Sequence, residues 1–357
     1  MKTKIRWEIN NDTIIFNNSF NQPLSKKILK LFKNIKNINL GSSFDKDISY
    51  LPDHIEILRF SYNKYYQLFC EFNQPIYKLP ISLKTIEFSY FFNQPIGKNN
   101  ISYLPDGIKK IFFGFSFNQP VLGLLPESVE YLEFGDKFQQ ILGTENLKLP
   151  KNLKKIKFIH SDFNFELKYL PDDLEKIVLD YYCEYNNPLN YLPKGLKKLK
   201  IIDGYKFNHP LDLLPNGLEH LELTVCKNYT HNLDNLPINL KKLKLYDNFC
   251  QPIDFLPFNL QSLTIEISTY YAYSFDNLPT NLKKLKIIHT IGSVSPLKLK
   301  NLPNKLEILI IGPNFYGELN NLPKNLRKIL IKTNYDIDNE FIETCKHILE
   351  LNGPYWD

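Results

Sequence analysis

Three apolar positions recur along this chain at fixed offsets, with polar residues between them. They follow the dipeptide Leu-Pro, whose prolines are Pro52, Pro80, Pro105, Pro126, Pro150, Pro171, Pro193, Pro215, Pro237, Pro257, Pro279, Pro303 and Pro323, spaced 20 to 28 residues apart and most often 22. Three residues after each proline stands an aliphatic residue, at +6 another, and at +8 an aliphatic residue or Phe. Leu196, Leu199 and Ile201 do so after Pro193, and Leu240, Leu243 and Leu245 after Pro237. A further copy lies upstream, where Leu31-Phe32 replaces Leu-Pro and Ile35, Ile38 and Leu40 keep the register. The +6 and +8 residues alternate with polar ones, which predicts a short half-buried strand. Proline suits the entry to such an element, because it fixes φ and cannot donate to a ladder. One strand and a polar return path cannot bury their own apolar face. Stacking about fourteen such units gives one continuous core with a parallel sheet on one side.

A second landmark precedes most Leu-Pro pairs. It reads Phe20-Asn21-Gln22-Pro23, Phe72-Asn73-Gln74-Pro75, Phe92-Asn93-Gln94-Pro95, Phe117-Asn118-Gln119-Pro120 and Phe207-Asn208-His209-Pro210, with weaker forms at Tyr185-Asn186-Asn187-Pro188 and Phe249-Cys250-Gln251-Pro252. The ring is expected to fill the core and the Asn to satisfy backbone groups at the bend, so that amides form a ladder along the stack. Joined to the Leu-Pro pattern, this landmark resembles the FNIP repeat of social amoebae and giant amoeba viruses over roughly residues 20–336. Those proteins are grouped with leucine-rich repeats. The resemblance implies protein–protein recognition, often beside an F-box that recruits a ubiquitin ligase. Fewer than twenty residues precede the first Phe-Asn-Gln-Pro, so no F-box is expected here and any link to ubiquitin transfer would need a separate adaptor.

The expected fold class is therefore mainly β, a right-handed leucine-rich-repeat-like solenoid. A parallel β-helix, which also advances by about twenty residues per turn, is the alternative. Only one strong strand signal per repeat favours the first. Residues 1–19 are expected to cap the N-terminus as a short hairpin carrying Ile5, Trp7, Ile9, Ile14 and Phe16 and turning at Asn10-Asn11-Asp12. Residues 20–336 form the repeats. Residues 337–357 are expected as a helical cap, because Phe341, Ile342, Cys345, Ile348 and Leu349 recur at helical spacing before Gly353.

Composition narrows the class of function. Lys and Arg number 44 against 38 Asp and Glu, a net charge of +6 over 357 residues. That is a mild excess and nearly all of it is Lys, which makes nucleic acid an unfavoured partner. Five cysteines without a C-x-x-C pair indicate neither a disulfide framework nor a zinc knuckle, and point to a reducing compartment. With no secretory h-region and no long apolar run, the expectation is a cytoplasmic protein, in the host cytoplasm if viral, with no membrane contact and a monomeric state.

Candidate binding residues lie at the outward strand offsets, since a rigid exposed sheet face is the usual recognition surface of such a stack. The +5 column contains Lys110, Lys155, Lys176, Lys198, His220, Lys242, Lys284 and Lys328, a basic stripe suited to an acidic protein partner. The +7 column adds Lys157, Lys200, Lys244 and Lys286. At +4 the charges nearly alternate between repeats, as in Lys109, Glu130, Lys154 and Glu175, and read equally as a register-keeping ladder. Tyrosines outside the core register, Tyr62, Tyr65, Tyr66, Tyr181, Tyr182, Tyr270 and Tyr273, form a second candidate surface as rim hot spots, or else pad the bends.

No common phosphate, dinucleotide, zinc-protease or nucleophile-elbow motif occurs, and the polar residues obey the repeat rather than converge on one pocket. The chain is read as non-enzymatic, with no catalytic residues, no cofactor and no metal. His209 and His231 share a slot in consecutive repeats. Gln holds that slot elsewhere, so an ordinary turn position is expected there.

Overall fold

The structure is a computed structural model that describes residues 7–60, 70–160, 162–180, 184–202, 204, 206–224, 229–269, 271–289, 297–312, 317–318, 322–332 and 347–352. It is mainly β, a parallel-sheet solenoid of about 13 turns with almost no helix. The chain divides into two compact units, Met1–Cys183 and Glu184–Asp357.

The repeat is built from its turn outward. After every Leu-Pro pair the proline carbonyl accepts the N–H of the +3 residue, as from Leu83 to Pro80 at 3.1 Å, Leu196 to Pro193 at 3.1 Å and Leu326 to Pro323 at 3.0 Å. This is an i to i+3 turn opened by a residue with no N–H of its own to satisfy. In the first copy Phe32 accepts from Ile35 at 3.0 Å in the same way. Phe32 also keeps its own N–H, and there the chain winds through a helical turn, Lys26–Leu29 followed by a 3-10 segment Lys30–Asn34.

Leaving the turn, the N–H groups at +4 and +5 both donate to the +4 carbonyl of the preceding repeat. Lys154 and Lys155 reach Glu130 at 2.9 and 3.1 Å, and Lys241 and Lys242 reach Glu219 at 2.8 and 3.0 Å. From +5 the strand proper runs in register with its neighbours. In the first unit Ile57, Thr85, Lys110, Tyr131, Lys155 and Lys176 stand side by side. In the second, Lys198, His220, Lys242, Ser262, Lys284, Ile308 and Lys328 do the same.

The even offsets fill the core. Leu132, Ile156, Ile177, Leu199, Leu243 and Leu285, all at +6, are 0% exposed. In the first unit the +8 position is mostly Phe. Each such ring packs on the ring in the landmark slot, Phe113 on Phe117 at 3.9 Å and Phe134 on Phe138, where Gln139 replaces the Asn, at 3.8 Å. The landmark rings themselves form a column, with Phe72, Phe92, Phe117 and Phe138 stacked at 6.0 to 6.2 Å. That exceeds the roughly 4.8 Å between hydrogen-bonded strands, so within this unit the chain fans outward from the sheet toward the ring column. In the second unit the +8 positions are aliphatic, Ile201, Leu223, Leu245 and Ile265 among them.

The N-terminal strands Trp7–Asn10 and Thr13–Phe16 form an antiparallel hairpin with Asn11 at φ 55. Thr13–Phe16 then pairs in parallel with Asn37–Leu40. At the other end the expected helix is corrected at Leu349. Leu349–Asn352 is a strand, parallel to Lys328–Lys332. Leu349 and Leu351 alternate with Glu350 and Asn352, and the edge of Lys328–Lys332 supplies the backbone partners that such a segment needs. Phe341, Ile342, Cys345 and Gly353 lie outside the described residues. Two minor pairings were not foreseen, the antiparallel Gly97–Lys98 with Ile101–Ser102 and the parallel Leu297–Lys298 with Gly317–Glu318.

Candidate functional site

Because side chains alternate across a strand, the buried +6 and +8 positions force +5 and +7 onto the open face of the sheet. That face is a grid whose rows are the strands and whose columns are the offsets.

In the first unit the grid is largely self-satisfied. Arg59 meets Glu87 at 3.4 Å, and Lys157 meets Asp180 at 2.8 Å. The Tyr131 hydroxyl donates to Glu133, and Lys155 lies 4.5 Å over the Tyr131 ring. Burial, followed by the adjacent Lys176, lowers the pKa of Lys155. Lys110 is exposed at the start of its strand. Asp180, the partner of Lys157, is a buried carboxylate at +9, an offset that the sequence reading had not extended to.

In the second unit the grid is strongly basic. Its +5 and +7 columns from Lys198 to Leu330 contain seven lysines and one glutamate. That glutamate, Glu222, bridges Lys200 at 2.8 Å and Lys244 at 3.3 Å. Burial alone would raise its carboxyl, but the two ammonium groups hold its pKa below the ordinary value. His220, flanked by Lys198 and Lys242, has its pKa lowered by burial and by Lys198, and its Nδ1 is buried without a hydrogen-bond partner among the described residues. Burial and the neighbouring Lys244 lower the pKa of Lys242. Lys242 is therefore partly buried as well as set among like charges.

The +4 column forms a charge ladder. Lys36 pairs with Glu56 at 2.8 Å, Lys109 with Glu130 at 2.7 Å, and Lys241 with Glu219 at 3.2 Å. These pairs are half exposed, so each contributes little to stability and mainly favours correct register. Lys328, the last of the +5 stripe, pairs with Glu350 at 2.6 Å.

The amide ladder exists, with a correction to what it satisfies. Asn93 accepts the Asn118 N–H at 2.9 Å and the Gln119 side-chain amide at 3.0 Å, and Asn73 serves Asn93 at 2.9 Å. Each Asn therefore caps a backbone group of the next repeat rather than of its own bend. The reason is reach: the neighbouring bend lies one strand spacing away, directly beside the amide. His209 and His231 point Nε2 at the carbonyls of Asn186 and Asn208, at 3.0 and 3.1 Å. Among the described residues no three His, Cys, Asp or Glu side chains are placed to hold a metal ion.

A second amide ladder was missed. In the Leu-Pro-x-Asn-Leu copies the +2 Asn donates to the +1 carbonyl of the preceding turn, Asn239 to Asn216 at 3.0 Å and Asn259 to Ile238 at 3.0 Å. Its signal was present in the recurrent Asn between proline and the +3 leucine.

Of the tyrosines, Tyr62, Tyr65, Tyr66, Tyr181, Tyr182 and Tyr270 lie outside the described residues. Tyr273 is 45% exposed and meets the buried Tyr271 edge-on at 5.6 Å. A cavity of about 720 Å³ beside the Leu-Pro turns of the first unit is lined by Glu127, Glu145, Lys148 and Asp172, among others, with no His, Cys or Ser in its wall.

The FNIP Repeat family model matches residues 72–116, 100–137, 117–147 and 185–224. No curated protein is similar to the chain at a significant level. Among solved structures it resembles CroV588, described as a novel circular LRR protein, with 23% identity over 97% of this chain and 70% of that one at a TM-score of 0.54. It also resembles TLR13 in its complex with ssRNA13, at 16% identity, 91% and 51% coverage and a TM-score of 0.53. Toll in the Toll–Spätzle complex of Drosophila follows at 15% identity, 93% and 44% coverage and a TM-score of 0.50. The chain spans about half the length of these two. At such identities the likeness concerns fold. The Leu-Pro turns, the Phe-Asn columns and these comparisons agree: the chain carries FNIP repeats in residues 72–147 and 185–224 and folds as a leucine-rich-repeat-like solenoid.

Proposed function

We propose that this chain is a non-enzymatic scaffold that binds a cytosolic protein, in an infected host if its source is a virus, through the exposed face of its sheet. The observation that carries this reading is the in-register grid of +5 and +7 side chains. A flat, hydrogen-bonded surface with fixed spacing between rows presents many side chains at once, and rigid presentation lowers the entropy lost on docking. The excess of lysine over acid on that grid, greatest in the second unit, suits a negatively charged partner and would speed encounter. The free thiols Cys70 and Cys250 suit a reducing compartment. Burial pushes the Cys70 pKa up to about 11, which leaves it an inert core residue.

The solved relatives include one complex with Spätzle and one with ssRNA, so the fold is compatible with either kind of ligand and the chemistry of the face has to decide. The test is a tagged pull-down from amoebal cytosol, comparing the wild type with a Lys155→Glu, Lys198→Glu, Lys242→Glu, Lys284→Glu variant shown by circular dichroism to be folded. The expected result is a partner retained by the wild type and lost by the variant. A partner list that the substitutions leave unchanged would move the function off the sheet face.

A further inference from the structure

Within the second unit the grid is not uniform, and its unevenness has a shape. Strand Lys242–Phe249 and strand Lys284–His289 each present lysine at +5 and +7, namely Lys242 with Lys244 and Lys284 with Lys286. Between them runs Ser262–Ile267, which presents Ser262 and Thr264 at the same offsets, directly beside those lysines. Serine and threonine are short, so this strand forms the floor of a trough with lysine walls. The walls stand two strand spacings apart, about 9.6 Å. Thr264 is buried at 5% exposure and Lys244 is held by Glu222, so the donors that meet an anion are the partly exposed Ser262 hydroxyl and the ammonium groups of Lys242 and Lys284 on either side of it. Glu266, at +9, ends the trough with a negative charge and so places an incoming anion toward the Ser262 row.

On the far side of Lys284 and Lys286 the chemistry changes. The next strand, Ile308–Ile311, presents Ile308 and Ile310 to the open face, and Lys328–Lys332 adds Leu330. All three are partly exposed at positions where the rest of this unit is polar. An apolar shelf therefore adjoins the lysine trough. A nucleic acid would satisfy the lysines with its phosphates but could lay only flat, polar-edged bases on the shelf, whereas a polypeptide carrying both carboxylates and aliphatic side chains matches both parts.

We infer that this stretch of sheet, from Lys242 to Leu330, holds an acidic segment of the partner polypeptide, with its carboxylates in the trough over Ser262, between Lys242 and Lys284, and its apolar side chains on Ile308, Ile310 and Leu330. The inference rests on the sheet-face reading above and narrows it to one site and one class of partner. Docking such a segment supplies a counter-charge to Lys242 and Lys284 while burying the shelf, so charge and apolar contact act together.

The test is fluorescence anisotropy on the full chain with three labelled probes of equal charge: a peptide alternating Glu and Leu, an all-Glu peptide, and single-stranded oligouridylate. The Glu/Leu peptide is expected to bind most tightly, and more weakly as salt rises. Lys242→Gln with Lys284→Gln should weaken it on the order of tenfold. Ile310→Asn with Leu330→Asn should weaken the Glu/Leu peptide and leave the all-Glu peptide unchanged, a difference that misfolding would not produce. Lys110→Gln with Lys155→Gln, in the first unit, should change nothing. Oligouridylate binding as tightly as the Glu/Leu peptide, equal losses from the first-unit pair, or no binding of either peptide would each overturn the inference. If a cytosolic partner were still captured in a lysine-dependent way in those cases, the broader sheet-face reading would survive without it.

Discussion

Glu222 shows what a single residue contributes on this surface. Its carboxylate joins Lys200 and Lys244 across three strands, and those two ammonium groups outweigh the burial that would otherwise raise its pKa. A carboxyl with a depressed pKa in the folded state stabilises at pH values above its unfolded value, here 4.5, and loses that contribution as pH falls through the lower folded value. The wild type should therefore melt at a higher temperature than Glu222→Gln at pH 7, and the gap should close as acid protonates the folded carboxyl, below the ordinary Glu range. A gap that persists in acid would mean that the charge is not what holds these strands. Asp45 makes a related point about the amide ladder, since it accepts the Asn73 N–H at 3.0 Å in a slot where later repeats use Asn. The slot requires an acceptor of the right reach more than it requires an amide.

At the level of the element, the chain leaves two neighbouring strands of the first unit, Lys110–Phe112 and Tyr131–Phe134, through a close passage. At +9 stand Gly114 and Gly135, and a Cβ on Gly135 would lie 2.4 Å from the Gly114 carbonyl oxygen. Backbone, not a movable side chain, occupies that space. Gly135→Ala should accordingly destabilise the protein by about 1–3 kcal/mol in urea titration. Gly107→Ala, in a Leu-Pro turn, is the matched comparison. There the added carbon first meets the Lys84 Nζ at 3.0 Å, a flexible tip that can swing away, so the change should be close to neutral. Equal losses at both sites would show that the passage between strands relaxes freely. The same scale explains the C-terminal correction. Helical spacing across five apolar residues competes with an available strand edge, and at Leu349 the edge wins.

For the whole molecule, repeats contact mainly their neighbours, so energetic coupling should fade within a repeat or two. In the first unit Phe117 and Phe138 stack at 6.2 Å, whereas Phe92 and Phe138 have Phe117 between them. A double-mutant cycle with Phe→Leu changes should give a coupling of about 0.5–1.5 kcal/mol for Phe117 with Phe138. For Phe92 with Phe138 the changes should add. Strong coupling of the distant pair would show that the unit melts as a block with long-range communication through its core. The functional reading depends on the same organisation, because a face built from rows can change its chemistry row by row without disturbing the core beneath.

The sequence by itself determined the period, the turn, the strand and its register. Each rests on a local rule: proline's missing N–H, the two-residue alternation of a strand, and a leucine or isoleucine every time the chain passes the core. Every described ladder strand of the repeats begins at the +5 residue, because that offset is counted from a turn the sequence marks unmistakably. What only the tertiary structure decided lies between repeats. Whether Asn93 serves its own bend or the next, which carboxylate Lys157 meets, and where lysines flank Ser262 beside an aliphatic shelf all depend on residues twenty or more positions apart being set side by side. A single column read along the sequence shows its charges, but not the neighbouring column that completes a site.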